Sequence, residues 1–251
     1  MRIIISPAKK MNVDTDSLPV QSLPVFLDDA KMLCRELQAL GYEEAKALWK
    51  CNDRLTQLNR ERFAHMELER SLTPAVLAYE GLQYQHMAPL VFTDQALSYL
   101  HVHLRILSGF YGILRPFDGV VPYRLEMQAK LAVGDHRDLY GFWGDRLYQE
   151  LMRENEDGIL LNLASREYVK AVEPYRKPED RLITVMFGEL VEGKVKQKGT
   201  FAKMARGEMV RFLAEQQITE VEKMKQFEAL GLSFQETLSD EATMVFVKKE
   251  D

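Results

Sequence analysis

The chain of 251 residues has few cysteines and no long apolar run. Cys34 and Cys51 lie in segments with helical periodicity, outside any Cys-x-x-Cys spacing that would indicate zinc, and we expect reduced thiols. Near the amino end, three isoleucines are followed by Ser6 and Pro7, too short a run for the apolar core of a signal peptide. No stretch approaches the about 20 apolar residues of a membrane-spanning helix. These absences predict a cytoplasmic protein with no membrane partner.

Motifs for common catalytic chemistries are also missing. There is no Walker loop, no Rossmann glycine fingerprint, no Gly-x-Ser-x-Gly elbow and no His-Glu-x-x-His pair. Of His65, His86, His101 and His103, the last two are two residues apart, so in a helix they point in different directions and could share a metal only if that segment were a strand. None of the four has a recognised ligand spacing. We therefore expect neither a metal nor a cofactor.

The composition is that of an ordinary globular protein, 46% apolar and 28% charged, with a net charge of −5. A nucleic-acid partner would need a local basic patch on an otherwise acidic surface. No repeat, low-complexity tract or long linker divides the chain, so we expect one domain over residues 1–251 that acts as a monomer.

Hydrophobic periodicity predicts a mixed α/β fold. Residues 2–6 have the pattern of a buried strand that stops at Pro7, and residues 93–107 that of a helix beginning at Thr93 or Asp94. The second half has more strands, over residues 158–163 and a hairpin of 182–190 with 194–201 around Glu192 and Gly193.

The most unusual segment is 104–127, because it combines apolar residues with closely spaced glycines. Ser108, Gly109, Tyr111 and Gly112 fall in the pattern L-x-x-L-S-G-x-Y-G-x-L, which has the layout of a helix-hairpin-helix motif. Such a turn brings backbone N–H groups to a phosphate, with Arg115 close by. The alternative is a packing turn whose glycines serve only backbone geometry.

A basic cluster follows in the second half. Lys194, Lys196 and Lys198 would share one face of a strand, and Lys203 and Arg206 one face of the next helix. A row of this kind suits a polyanion. It is equally typical of an edge strand protected by lysines against aggregation.

Polar residues also follow two of the predicted strands. Lys9 comes just after the first strand, and Ser165, Tyr168 and Lys170 follow the strand 158–163. Ligands of α/β proteins collect at the carboxyl ends of strands, so a shared cleft is expected there. Lys9 would bind a phosphate or act as a catalytic amine in that cleft, or else lie in a solvated turn.

Six motifs spread along the chain resemble the YaaA family of peroxide-stress proteins. They are ISPAK at 5–9, LSGFYGILRPFD at 107–118, PYRLEM at 122–127, LYGFWGD at 139–145, NLASREYVK at 162–170 and AKMARGEM at 202–209. The resemblance implies a single mixed α/β domain with the family's cantaloupe fold, a helix-hairpin-helix element and a basic cleft. It also implies a cytoplasmic DNA-binding protein that protects against hydrogen peroxide by limiting free intracellular iron.

The DNA contacts implied by this resemblance fall on ten residues. They are Ser108, Gly109, Tyr111, Gly112 and Arg115 in the hairpin, and Lys9, Arg124, Lys170, Lys203 and Arg206 in the cleft. One departure concerns Glu80, which stands where some relatives carry a lysine. Either the affinity for DNA is altered here, or Glu80 lies outside the cleft.

The leading hypothesis is therefore a protein that binds duplex or branched DNA mainly through its phosphates. The alternative is an enzyme that acts on a phosphorylated or carboxylate small molecule, or on a nucleic acid, in the same cleft. Its catalytic candidates are Lys9, Tyr123, Arg124, Glu126 and Asp145. Glu126 and Asp145 would serve as acid and base if they converge.

Overall fold

Residues 1–248 are described by the computed structural model, and they form a mixed α/β structure around a central sheet. The mixed α/β prediction is confirmed. The strands are β1 Arg2–Ile5, β2 Lys10–Met11, β3 Thr73–Pro74, β4 Tyr79–Glu80, β5 Leu104–Ser108, β6 Gly112–Leu114, β7 Gly119–Val120, β8 Ile159–Leu163, β9 Arg181–Val191, β10 Lys194–Lys196, β11 Leu232–Phe234 and β12 Thr243–Lys248.

The main sheet is mixed, and β1 lies inside it. Its strand order is β11-β12-β9-β8-β1-β5-β6, and β10 pairs with β9. The five strands from β12 to β5 in this order are parallel to one another, whereas β6, β10 and β11 each pair antiparallel with their neighbours. Ile3, Ile4 and Ile5 are all fully buried, as expected of a strand covered on both faces.

Ten α-helices accompany the strands within residues 1–248. They are α1 Leu27–Ala39, α2 Tyr42–Trp49, α3 Asp53–Ala64, α4 Ala75–Ala78, α5 Leu82–Met87, α6 Asp94–His103, α7 Leu139–Trp143, α8 Arg146–Met152, α9 Arg166–Val169 and α10 Gly199–Glu215. The predicted start of α6 is confirmed, because the Thr93 hydroxyl accepts a hydrogen bond from the Ala96 N–H at 3.3 Å.

The predicted helix over 93–107 is wrong beyond His103. Leu104–Ser108 is the buried strand β5, and Gly112–Leu114 returns beside it as β6, so the segment is a β-hairpin and not a helix-hairpin-helix. A short, fully buried strand has no polar face to reveal its period, which is why the apolar residues matched a helix. The glycines serve the turn: Gly112 has a φ of +72°, which glycine adopts without strain.

The predicted hairpin of the second half is confirmed around Glu192 and Gly193, but its second strand is shorter than expected. Strand β10 ends at Lys196, and α10 begins at Gly199. Lys198 therefore lies outside the strand, where its ammonium pairs with Glu189 at 2.7 Å.

Helices α5 and α10 approach each other closely at Gly207. A Cβ at this position would press on the Gln83 carbonyl oxygen and lie 2.8 Å from the Cβ of His86. The absence of a side chain therefore sets the spacing of two helices, α5 with Gln83 and Tyr84 and α10 with Lys203 and Arg206.

We predict that Gly207→Ala lowers the free energy of unfolding by about 1–3 kcal/mol, because the new methyl group meets rigid backbone. Gly199→Ala is the matched control on the same helix, since no atom lies within 4 Å of the point that its new methyl group would occupy. It should be neutral or gain up to about 1 kcal/mol from helix propensity. Urea unfolding followed by circular dichroism measures both. Equal stability of the two variants would contradict the close packing.

Candidate functional site

A cavity of about 390 Å³ opens at the carboxyl ends of β1 and β8. The strand that follows β1 in the main sheet, β5, lies on one side of this pair, and the strand that follows β8, β9, lies on the other. This is a topological switch point, where α/β sheets leave a crevice for ligands. We call it the sheet-edge pocket. It is lined by Ser6, Pro7, Ala8, Lys9, Lys10, Glu80, Gly81, Leu82, Gln83, Tyr84, Tyr123, Arg124, Leu125, Glu126, Ser165, Glu167, Tyr168, Lys203 and Arg206.

Hydrogen bonds between the strand ends fix the base of the pocket. The Ser6 hydroxyl accepts the Ser165 N–H at 2.8 Å and donates to the Ser165 hydroxyl at 3.3 Å. The Tyr84 hydroxyl donates to the Ser6 carbonyl at 2.9 Å and ties α5 to the same point. The ends of β1 and β8 are thus held together at the switch point by side chains that line the cavity.

Two basic side chains of α10 reach the pocket without an acidic partner. Neither Lys203 nor Arg206 forms an ion pair with any residue in 1–248. Arg206 is largely desolvated, and this burial lowers the pKa of its guanidinium. A partly buried cation with no counter-charge is unfavourable, and an anion in the pocket would offset that cost.

Three hydrogen-bond donors around the pocket have no acceptor. They are Nε of Arg206, Nε of Arg124 and Nε2 of Gln83, all buried. Buried polar atoms in folded proteins are nearly always paired, so three such donors around one cavity require an explanation. An acceptor-rich ligand in the pocket would provide it.

Two carboxylates face the interior of the pocket in different surroundings. Glu126 Oε1 lies 3.0 Å from Lys9 Nζ and 3.3 Å from Arg124 Nη2. Glu167 has no ion pair within residues 1–248, and it accepts the Gln128 N–H at 3.2 Å. Burial raises the pKa of Glu167, and the nearby negative charge of Glu126 raises it further. A third carboxylate, Glu80, pairs with Lys10 at the rim.

The tyrosines that border the pocket are held as neutral hydroxyl groups. The Tyr123 hydroxyl lies 2.8 Å from that of Tyr79 and 2.6 Å from the hydroxyl of Ser108. Burial raises the pKa of Tyr123 to about 12 and that of Tyr84 well above its usual value. These side chains therefore supply shape and hydrogen bonds at neutral pH.

The pocket brings together six of the residues predicted from the sequence to contact DNA or to act in catalysis. They are Lys9, Tyr123, Arg124, Glu126, Lys203 and Arg206. Lys170 lies apart, with its ammonium 5.0 Å from the Tyr140 ring, and exposed Asp145 accepts a hydrogen bond from the Gln149 side chain. Glu126 and Asp145 do not share the pocket, so the acid–base pair considered from the sequence is not formed.

The hairpin residues occupy other places. Ser108, Gly109, Tyr111 and Gly112 are buried in the turn between β5 and β6, with no surface for a nucleic-acid backbone. Arg115 follows β6 near the amino end of β1 and lies 3.7 Å from Glu154. The interpretation of this turn as a phosphate contact is therefore wrong for the structure, and the packing turn is correct.

Three pocket residues were missed from the sequence. Gln83 and Tyr84 lie on α5, whose six residues gave no recognisable periodicity. Glu167 lies just after β8, between Ser165 and Tyr168. The sequence analysis named those two neighbours, so the position of Glu167 after a strand was the signal that could have identified it. Glu80 does lie at the pocket, and its pairing with Lys10 reduces the positive charge of the rim.

Residues 1–248 hold neither a metal-binding cluster nor a membrane-spanning helix. No group of three or more histidine, cysteine, aspartate or glutamate side chains in that range is arranged to hold a metal ion. None of the helices within it has both the length and the apolar character needed to cross a bilayer. Cys34 and Cys51 are both free thiols.

We predict that Arg206→Met raises the free energy of unfolding by about 1 kcal/mol, because it removes a buried donor that has no acceptor. Arg211→Met is the control on the same helix. Arg211 pairs with Glu215 at the surface, so its loss should change stability by less than about 0.5 kcal/mol. Denaturant unfolding of both variants tests this. A clear loss of stability in Arg206→Met would instead make Arg206 a structural residue.

Comparison with known proteins identifies the family. Residues 1–238 match the model of the family described as peroxide stress protein YaaA. UPF0246 proteins of Desulfitobacterium hafniense and Pediococcus pentosaceus are 54% and 51% identical to the chain. These alignments cover 99% and 100% of this chain, and 98% and 99% of the two relatives. The chain therefore belongs to the peroxide stress protein YaaA family.

Proposed function

We propose that this protein acts in the cytoplasmic response to hydrogen peroxide by binding a small phosphorylated or carboxylate molecule in the sheet-edge pocket. The family supports the stress role. The observation that carries the ligand class is the set of three buried donors without acceptors, on Gln83, Arg124 and Arg206. The proposal extends to limiting free intracellular iron, which the family resemblance implies.

The chemistry of the pocket matches such a ligand. A phosphate or carboxylate offers several acceptor oxygens, which the unpaired donors lack, and a negative charge, which the unpaired cations of α10 lack. Each unsatisfied buried donor costs about 1–3 kcal/mol, and a bound anion toward which these side chains turn would recover part of that free energy. The volume of about 390 Å³ lies within the range of small-molecule sites.

We predict that the protein binds inorganic phosphate or pyrophosphate and that Arg206→Met weakens this binding by about 10- to 100-fold. This factor follows from the loss of one charge-assisted hydrogen bond, about 1.5–3 kcal/mol. Isothermal titration calorimetry measures the affinities, and Arg211→Met should bind as the unaltered protein does. Equal affinity of Arg206→Met and the unaltered protein would overturn the assignment of Arg206.

DNA binding is the second candidate, and the rim of the pocket favours it. The side chains of Lys9 and Lys10 are 65% and 77% exposed, and Lys203 is exposed and unpaired among the described residues. A duplex is too wide to enter the pocket, so its phosphates would contact this rim. The contacts would then be independent of sequence.

For this candidate we predict DNA binding that weakens steeply with salt, by roughly 0.9 in log affinity per log salt for each phosphate neutralised. Lys203→Met should reduce that slope by about one phosphate. Lys223→Met is the control, because Lys223 is not among the residues that line the pocket and it pairs with Glu220. Gel-shift titrations at two salt concentrations give the slopes. Absence of binding at low salt would eliminate this candidate and leave the small-molecule proposal intact.

A further inference from the structure

The two interior carboxylates of the sheet-edge pocket have opposite electrostatic surroundings. Glu126 lies against two cations, Lys9 at 3.0 Å and Arg124 at 3.3 Å. Glu167 has no cation within ion-pairing distance in the described chain. Paired carboxylates whose surroundings differ in this way are the arrangement by which proteins divide proton-transfer roles.

The groups around Glu167 give its carboxylate no direct counter-charge within residues 1–248. Glu126 and Lys9 act on it with opposite charges, and its carboxylate accepts the backbone N–H of Gln128. The neighbouring Tyr140 and Tyr168 have pKa values raised by burial and stay neutral. An anion entering the pocket would therefore act on a carboxylate that is partly buried, already faces another carboxylate and has no close cation.

We propose that Glu167 is the proton-exchanging group of this pocket: it takes up a proton when an anionic ligand binds, and the resulting carboxyl group donates it to the ligand. This inference rests on the proposed function. The proton comes from solvent to a carboxylate oxygen of Glu167 and then passes to a basic oxygen or nitrogen of the ligand, leaving the carboxylate restored. The inference limits the ligands to anions that carry a proton-accepting oxygen or nitrogen next to the phosphate or carboxylate group that the pocket binds.

The expected pH dependence follows from the sign of the interaction. A bound anion disfavours the charged form of Glu167, so it raises the pKa of this carboxyl further above its usual value. Binding therefore strengthens as the pH falls through the interval between the pKa of the free and of the bound state, and protons are taken up within that interval.

The test uses sulfate as the probe, because sulfate stays a dianion throughout the weakly acid range. Isothermal titration in two buffers with different ionisation enthalpies gives the number of protons taken up on binding. We expect uptake by the unaltered protein in the weakly acid range, above the usual pKa of a glutamate because the pKa of Glu167 is raised, and none by Glu167→Gln. Glu80→Gln is the matched control, since Glu80 lines the same pocket but pairs with Lys10, and it should keep the uptake.

A wrong role for Glu167 and a wrong proposed function would give different results. Sulfate binding without proton uptake by the unaltered protein, at every pH from about 4 to 7, overturns the role of Glu167 without any variant. Undiminished uptake in a folded Glu167→Gln does the same. Failure of sulfate, phosphate and pyrophosphate to bind at all overturns the proposed function, and this inference with it.

Discussion

The parallel pairing of β1 with β8 is the constraint on which the site depends. Ile5 pairs with Leu163, so the chain leaves both strands at the same edge of the sheet and must diverge to opposite sides. The crevice at this point is a consequence of topology. The hydrogen bonds between Ser6 and Ser165 join the two strand ends at the base of this crevice.

Helix α10 carries a residue, Arg206, that lowers the stability of the fold but supplies a positive charge to the pocket. Packing at Gly207 presses this helix onto α5 and thereby carries Arg206 into a largely desolvated position with no counter-charge. A protein selected for stability alone would place an apolar side chain there. Sites that bind or react commonly retain such unfavourable groups, because the free energy is recovered when the ligand binds.

The sequence predicts the fold best where an apolar pattern coincides with a clear boundary signal. Residues 2–6 combine a buried apolar run with a stop at Pro7, and α6 combines helical periodicity with a cap at Thr93; both predictions are confirmed. Residues 104–108 were misassigned because a strand buried on both faces lacks a polar period. In the site, residues next to strand ends were predictable, whereas Gln83 and Tyr84 depend on the packing of α5 against α10, which no local pattern encodes.

The glycine-rich hairpin between β5 and β6 packs against the segment that carries Tyr123 and Glu126 of the pocket. A Cβ at Gly109 would lie 2.6 Å from the Leu125 carbonyl oxygen, so glycine allows the turn to pack directly on the backbone next to Glu126. Ser108 accepts the Phe110 and Tyr111 N–H groups and also contacts the Tyr123 hydroxyl, which lines the pocket. The residues that resembled a phosphate-binding turn therefore position the segment that carries Tyr123 and Glu126. These hairpin residues provide close backbone packing, and the charged groups that line the pocket, such as Arg124 and Glu126, lie in the segment packed against them.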